Sequence, residues 1–152
     1  MRWTFYGHCM VFTEKEIEYL RQQSLGRLAT VGPDNEPQVR PTGYVLNDDG
    51  TIDLAGPNLS GSRKWRNIQA NPAVAFVVDD MTPDEPGAVK PGWGRGVEVR
   101  GHAELLTDHE PPYGDTGFFS REAIRIHPRR ILSWHLEAGR LQFTRSVVQA
   151  SA

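Results

Sequence analysis

Hydrophobic and polar residues alternate along much of the chain in short runs, a pattern typical of β-strands. In residues 96–105, valine, alanine or leucine alternates with charged or polar side chains, which predicts a strand with one wet face. The run 73–78, AVAFVV, is apolar at every position and predicts a strand that is buried on both faces. Further strands are predicted at 25–31, 38–46, 51–55, 123–127, 131–136 and 141–147.

Two segments have helical signals instead. Thr13-Glu14-Lys15-Glu16 forms a capping box, which predicts a helix from Thr13 to about Gln23, with Ile17 and Leu20 on its inner face. A second, shorter helix is predicted at 60–70, and Asn71-Pro72 ends it.

The connections between these elements indicate the architecture. Gly32-Pro33-Asp34-Asn35 and Asn47-Asp48-Asp49-Gly50 are turns, and turns this short join antiparallel strands. Loops rich in glycine, proline and acidic residues are predicted at 81–92 and 108–117. About eight short strands and two helices predict a mainly β fold, a small antiparallel β-barrel with helices packed on its rim. We expect one domain, residues 1–152.

Composition and charge exclude several classes of protein. The formal net charge is −2, which argues against a nucleic-acid binder. The chain contains neither an apolar run of membrane-spanning length nor a secretory signal, so we expect a cytoplasmic protein that does not bind membranes. Cys9 is the single cysteine, interpreted as a packed or surface thiol. The five histidines show no ligand spacing and C-x-x-C is absent, so no metal site is predicted.

The opening of the second predicted helix has an unusual charge pattern. Arg63, Lys64 and Arg66 fall in SGSRKWRNIQANP, in the first turns, where the helix dipole favours acidic residues. A phosphate group would compensate these cations, because free N–H groups at a helix N-terminus also bind anions. Arg40, on the strand at 38–46, would add a further cation if it points toward the helix start. The alternative is that these side chains are only solvated.

The order of several segments resembles a known family. FTEKEIEYL, QSLGRLATVGPDNEPQVRPTGYVLNDDGTIDLAG, SRKWRNIQANPAVAFVVDD, RGVEVRGHAELL and IRIHPRRILSWHL together span most of residues 12–136. They resemble the pyridoxamine 5′-phosphate oxidase-like split-barrel superfamily, and most closely its branch of F420-dependent oxidoreductases. The resemblance implies a split β-barrel and a homodimer with two flat tricyclic cofactors in grooves between the subunits.

The resemblance also implies a set of cofactor-binding residues. The phosphate would be held by Arg40, Ser62, Arg63 and Lys64. Two backbone segments would lie along the ring, Pro41-Thr42-Gly43 and Gly56-Pro57-Asn58. Trp93, Trp134 and His135 would reach the groove from the other subunit, although Trp134 fits a core position equally well.

The sequence departs from true pyridoxamine phosphate oxidases. Val45 lies in the region where those enzymes carry a lysine after the strand arginine. Arg125-Ile126-His127 has the letters of their substrate-binding Arg-x-His, but it precedes Pro128 and lies in a different context. Oxidation of vitamin B6 is therefore not expected.

The resemblance implies an oxidoreductase that uses coenzyme F420, or alternatively FMN, to transfer hydride to or from a small organic substrate. Such a cofactor carries the reactive atom, which fits the absence of an acid, base or nucleophile motif. Water, His135 or Tyr44 would supply the proton, Arg66 and the Arg95 region would bind the polyglutamyl tail of F420, and the two long loops would shape the substrate site. Two other functions stay open: a non-catalytic flavin-binding protein, and a haem-binding split barrel with His127 or His135 as axial ligand.

Overall fold

Strands and two short helices make up the part of the chain that the structure, a computed structural model, describes: residues 11–148. The helices are α1 (Glu14–Gln22) and α2 (Arg63–Ala70). The strands are β1 (Leu25–Val31), β2 (Pro37–Gly43), β3 (Val45–Leu46), β4 (Ile52–Leu54), β5 (Ala73–Met81), β6 (Gly94–Thr107), β7 (Glu122–Glu137) and β8 (Arg140–Ser146). Short 3-10 turns occupy Pro33–Asn35 and Leu59–Gly61. Cys9 lies outside the described residues, within which no helix is long and apolar enough to cross a membrane.

All eight strands form one antiparallel sheet. Its order is β2-β1-β5-β6-β7-β4-β3, and β8 pairs with the second half of β7. The sheet curls into a half-barrel, and the two helices pack against it, which confirms the mainly β, split-barrel prediction. The two strands at the ends of this order, β2 and β3, are consecutive in the chain.

The segment predicted as one strand at 38–46 is divided at Tyr44, so this prediction is wrong in its continuity. β2 pairs with β1, whereas β3 pairs with β4 at the opposite end of the sheet. The buried Tyr44 ring packs edge-on against Phe76, and its hydroxyl donates to the backbone oxygens of Leu20 and Gln23 near the end of α1. Tyr44 is therefore the single residue that connects the two ends of the curled sheet.

The two strands predicted at 123–127 and 131–136 are a single strand, β7, of 16 residues. Arg100 pairs with Arg130 and Gly101 with Pro128, so Arg129 is the extra residue of a β-bulge. Proline is tolerated at a bulge, where its missing N–H costs no ladder hydrogen bond. A Cβ on Gly101 would overlap the backbone oxygen of His127, so the close approach at this bulge requires glycine.

The core fills the concave side of the sheet. It includes Leu28, Phe76, Val78, Val99 and Ile131, all almost fully buried. The prediction that 73–78 is buried on both faces is wrong. Ala73 is exposed and Ala75 and Val77 are half-buried, because no part of the described chain covers the other side of β5.

That other side is a continuous apolar surface, which we call the outer face. It comprises alternate residues of three neighbouring strands, Val39 and Pro41 on β2, Leu25 and Ala29 on β1, and Ala75 and Val77 on β5. Val39 and Leu25 are 64% and 47% exposed. The charged residues Arg27 and Asp79, which share this surface, form an ion pair at 2.8 Å. The outer face is therefore apolar and nearly neutral.

A buried ionic cluster fastens α1 to the last strand. The structure confirms the predicted capping box, in which Thr13 and Glu16 exchange hydrogen bonds. The carboxylate of Glu16, which is 1% exposed, also accepts hydrogen bonds from Ser133 Oγ at 2.8 Å and from the Arg145 guanidinium at 2.5 and 2.8 Å. Burial raises the pKa of Glu16, but the bonds from Arg145, Thr13 and Ser133 outweigh it and leave the pKa below 4.5.

We predict that Glu16→Gln lowers the free energy of unfolding by about 3–5 kcal/mol at neutral pH, because it leaves the partly buried Arg145 without its partner. The pKa of Glu16 is lowered by folding, so this stabilisation is complete above pH 4.5 and is lost as the pH falls through the folded pKa. Urea unfolding of both proteins, repeated in steps below pH 4.5, measures the difference. Lys15→Ala, which breaks an exposed pair with Glu18, is the control and should cost less than about 1 kcal/mol. A loss that did not change with pH would contradict the assignment.

Candidate functional site

The start of α2 packs against the concave face of β2. The side-chain nitrogen of Asn67 donates to Thr30 Oγ1 at 2.9 Å and to Gln38 Oε1 at 3.2 Å, which fixes the helix across β1 and β2. Gln38 and Arg40 share one face of β2, and Lys64 precedes Asn67 by one helical turn. The fold therefore brings Lys64 beside Arg40, as the phosphate hypothesis requires.

Burial and the charge of Arg40 both act on Lys64. Burial lowers the pKa of the half-buried Lys64 ammonium, and the charge of Arg40 lowers it further. Arg40, Arg63 and Lys64 form no ion pair with any carboxylate among residues 11–148. Most other arginines of the same region are paired, so this group of unpaired positive charges is unusual.

The N-terminus of α2 differs from the prediction. The helix begins at Arg63 rather than at Ser60, and Ser62 is its N-cap. The Ser62 hydroxyl donates to Leu59 O at 2.6 Å and accepts from Trp65 N at 3.3 Å, so this hydroxyl is already occupied. The amide of Ser60 donates to the Glu122 carboxylate at 3.3 Å, so only the first amides of the helix itself, at Arg63 and Lys64, remain to face an anion.

The predicted ring segment Gly56-Pro57-Asn58 lies between β4 and the turn Leu59–Gly61. Gly56 is buried, and its backbone oxygen accepts hydrogen bonds from the amide and the hydroxyl of Ser120, at 2.9 and 3.0 Å. Pro57 and Asn58 are exposed. Ser120 Oγ also accepts from the amide of Leu59 at 3.2 Å, so the end of the loop between β6 and β7 is fastened to this segment.

The other predicted ring segment ends β2. Thr42 shares the concave face with Arg40, whereas Pro41 and Gly43 alternate to the outer face. A Cβ on Gly43 would overlap the hydroxyl oxygen of Tyr113, so the absence of a side chain here allows that tyrosine to lie against the backbone. Tyr113 belongs to the same loop as Ser120, so one loop contacts both ring segments.

Trp93, Trp134 and His135 lie apart from this cation group within the chain. Trp134 is on β7, four strands along the sheet from β2, and it packs on Gly96. Trp93 is 60% exposed and contacts the His135 ring edge-on. His135 has φ 55°, and its Nδ1 lies 2.7 Å from Gly94 O, which makes Nδ1 the donor and leaves Nε2 free. These three residues could lie beside the cation group only if they come from a second subunit.

Two further sequence hypotheses are wrong. Tyr44 is not placed to give a proton to a substrate, because its buried hydroxyl is bonded to backbone oxygens. Burial, and then the nearby Tyr113, raises the pKa of Tyr44. Arg95 is not free to bind a polyglutamyl tail, since its guanidinium makes two hydrogen bonds to Asp80 at 2.8 and 3.1 Å. Arg66 is exposed but donates to Gly61 O at 2.9 Å.

Sequence reasoning missed the contribution of the loop between β6 and β7. Tyr113 and Ser120 contact residues about 60 to 70 positions earlier in the chain, which no local pattern indicates. A signal was nevertheless present, because Tyr113, Phe118 and Phe119 are three aromatic residues in a loop otherwise rich in glycine, proline and charge.

The arrangement is suited to binding rather than to general acid–base catalysis. It offers two facing cations, two free helix amides and two glycine-containing backbone segments, a set that fits a phosphate joined to a flat ring. Within residues 11–148, no group of three or more histidine, cysteine, aspartate or glutamate side chains is placed to hold a metal ion.

Comparison with known proteins identifies the family of the chain. The sequence model of the pyridoxamine 5′-phosphate oxidase family matches residues 12–141. The chain is 43% identical over 133 residues to a 5a,11a-dehydrotetracycline/5a,11a-dehydrooxytetracycline reductase of Streptomyces rimosus, and the match covers 84% of this chain and 86% of the relative.

Solved structures with the same fold include a conserved hypothetical protein of Mycobacterium tuberculosis, with a TM-score of 0.63 and 28% identity over 93% of this chain and 94% of that one. Another is an F420 reductase, with a TM-score of 0.56 and 27% identity over 79% of this chain and 98% of that one. The chain therefore belongs to the pyridoxamine 5′-phosphate oxidase family, as an oxidoreductase of that family.

Proposed function

We propose that this protein uses coenzyme F420 to reduce a conjugated carbon–carbon double bond in a small organic molecule. We place the reaction in the cytoplasm. The observation that carries the proposal is the pair of facing cations, Arg40 and Lys64, which no carboxylate of the described chain compensates. We also propose that the protein is a homodimer with its cofactors at the subunit interface.

The electrostatics favour a bound phosphate. Folding places the Lys64 ammonium where burial and the Arg40 charge both disfavour it, which costs stability in the protein alone. A phosphate between the two side chains reverses this cost and adds charge-assisted hydrogen bonds. The amides of Arg63 and Lys64, at the positive end of the α2 dipole, provide further donors for the same group.

The chain supplies orientation around a cofactor that carries the hydride. Arg40, Arg63 and Lys64 would hold the phosphate, while Pro41-Thr42-Gly43 and Gly56-Pro57-Asn58 would present backbone to the ring. Ser62 acts first as the cap of α2 and so positions those donors. His135, whose Nε2 is free, stays the candidate proton donor, in the imidazolium form that carries a proton on both ring nitrogens, and it would come from the second subunit together with Trp93 and Trp134.

One structural relative supports F420 over FMN, because it is itself an F420 reductase. The 43% identical relative supports the proposed reaction instead, because it is a reductase of dehydro compounds, whose prefix denotes a carbon–carbon double bond. FMN stays the alternative, because it also carries a phosphate group and a similar ring. The two are separated experimentally, since FMN would colour the purified protein yellow, whereas an F420 enzyme can be isolated colourless and bind added F420.

The outer face supports the proposed homodimer. This surface is continuous and apolar and carries exposed Val39 and Leu25. Its charged residues Arg27 and Asp79 are already paired with each other, and so are Arg100 and Glu98 beside it on β6, so covering them leaves few charges unsatisfied. A second copy of the same face is apolar and neutral as well, which suits a symmetric contact.

We predict that Arg40→Ala and Lys64→Met each weaken F420 binding about 10- to 150-fold, the equivalent of one lost charge-assisted hydrogen bond of about 1.5–3 kcal/mol. Titration followed by the fluorescence anisotropy of F420 measures the affinity. In the cofactor-free protein, Lys64→Met should leave the melting temperature unchanged or raise it, because it removes a disfavoured charge. Arg21→Ala, at an exposed arginine of α1, is the matched control and should bind normally. Unchanged affinity in both site variants would refute the phosphate assignment.

We predict that the protein sediments at twice its chain mass of 17.1 kDa and that Val39→Asp shifts it to the monomer, because the new carboxylate would be buried in the contact. Analytical ultracentrifugation gives the mass, and the same F420 titration should show weaker binding by the monomer. Leu141→Asp, an exposed apolar position on β8, serves as the control. A wild-type monomer that binds F420 normally would exclude the dimeric site.

A further inference from the structure

Three aromatic side chains form a cluster on the loop between β6 and β7. The ring centroids of Tyr113 and Phe119 are 5.3 Å apart, and those of Phe118 and Phe119 are 5.1 Å apart. Phe118 is 65% exposed and Tyr113 43% exposed. Single exposed apolar residues are common, but two exposed rings that both pack on a third form a patch that needs an explanation. We call Tyr113, Phe118 and Phe119 the aromatic cluster.

The aromatic cluster is fastened in place on two sides. Behind Phe119, Ser120 bonds to Gly56 and Leu59, and Glu122 accepts from the amide of Ser60. At the other side, the Tyr113 hydroxyl lies against Gly43, the end of β2. The cluster thus spans the two backbone segments that the proposed function places along the cofactor ring.

The three residues of the aromatic cluster carry no charge themselves. Arg121, which follows them in the loop, pairs with Asp115 at 3.3 Å, so the patch presents rings and one phenol. Burial raises the pKa of Tyr113, which keeps its hydroxyl protonated and able to donate a hydrogen bond. Such a surface suits a flat, uncharged or weakly charged ligand with a carbonyl or enol oxygen.

We infer that the aromatic cluster is the substrate-binding subsite and that it selects fused, planar, conjugated ring systems. The inference rests on the proposed function, because only a ring cofactor between Gly43 and Gly56 makes this patch adjacent to the reaction. Phe118 and Phe119 stack on the rings of the substrate, and the Tyr113 hydroxyl donates to an oxygen on one of them. The cluster does not take part in holding the phosphate.

The test compares two ligands on F420-loaded protein by isothermal titration calorimetry: tetracycline, which has four fused rings, and 2-cyclohexenone, which has one. We expect the wild type to bind tetracycline more tightly. Phe118→Ala and Tyr113→Leu should each weaken tetracycline binding about 2- to 12-fold, the usual range for one aromatic contact. In Phe118→Ala, the affinities for cyclohexenone and for F420 should stay the same. Because Phe118 is largely exposed, its replacement should not disturb folding, and Leu141→Ala is the matched apolar control.

Several outcomes would overturn the inference. Equal losses for both ligands, or no loss for tetracycline, would show that the rings do not select fused systems. A change of oligomeric state in Phe118→Ala would show that the patch is a subunit contact instead. If the wild type bound neither F420 nor FMN, the proposed function would fail, whereas normal F420 binding with cluster-independent tetracycline affinity would sink only this inference.

Discussion

The continuity of the chain through Tyr44 is the constraint on which the site depends. Tyr44 alone connects β2 and β3, which are the strands at the two ends of the sheet. The sheet must therefore curl until its ends meet. The Tyr44 ring rests on Phe76, and its hydroxyl holds the end of α1, which seals the gap. As a result β2 has a partner on one side only, and Arg40 and Gly43 stay accessible on a strand whose position is fixed from within.

The unpaired cations of the proposed site destabilise the protein when no ligand is bound. Most other buried and half-buried charges of residues 11–148 are paired, as Glu16 is with Arg145 and Asp53 with Arg125. At the start of α2, the packing of Asn67 against Thr30 and Gln38 holds Lys64 beside Arg40 without a balancing carboxylate. Local destabilisation of this kind is common where a ligand supplies the missing charge, because preorganised donors need not move when it binds.

The sequence predicts what is local and misses what is distant. The capping box at Thr13 and the alternation in β6 are determined by neighbouring residues, and both are confirmed. The break at Tyr44 is not visible, because all of 38–46 has the composition of one strand, and Pro128 reads as an end although a bulge accommodates it. The basic start of α2 was recognisable, but its cap at Ser62 and the contact of Tyr113 with Gly43 depend on tertiary packing.

The prolines of β2 have a consequence for how the protein meets other chains. Pro37 and Pro41 are four residues apart on β2, so their backbone nitrogens lie on the same edge of the strand. β2 pairs with β1 along one edge only. Proline in such a strand lacks the N–H that an incoming strand would need. Polymerisation by strand addition is therefore disfavoured here, even though Val39 between them is apolar and exposed. At high concentration, two molecules would instead associate through their outer faces. That association stops at the pair, because each molecule has one such face and the contact covers it.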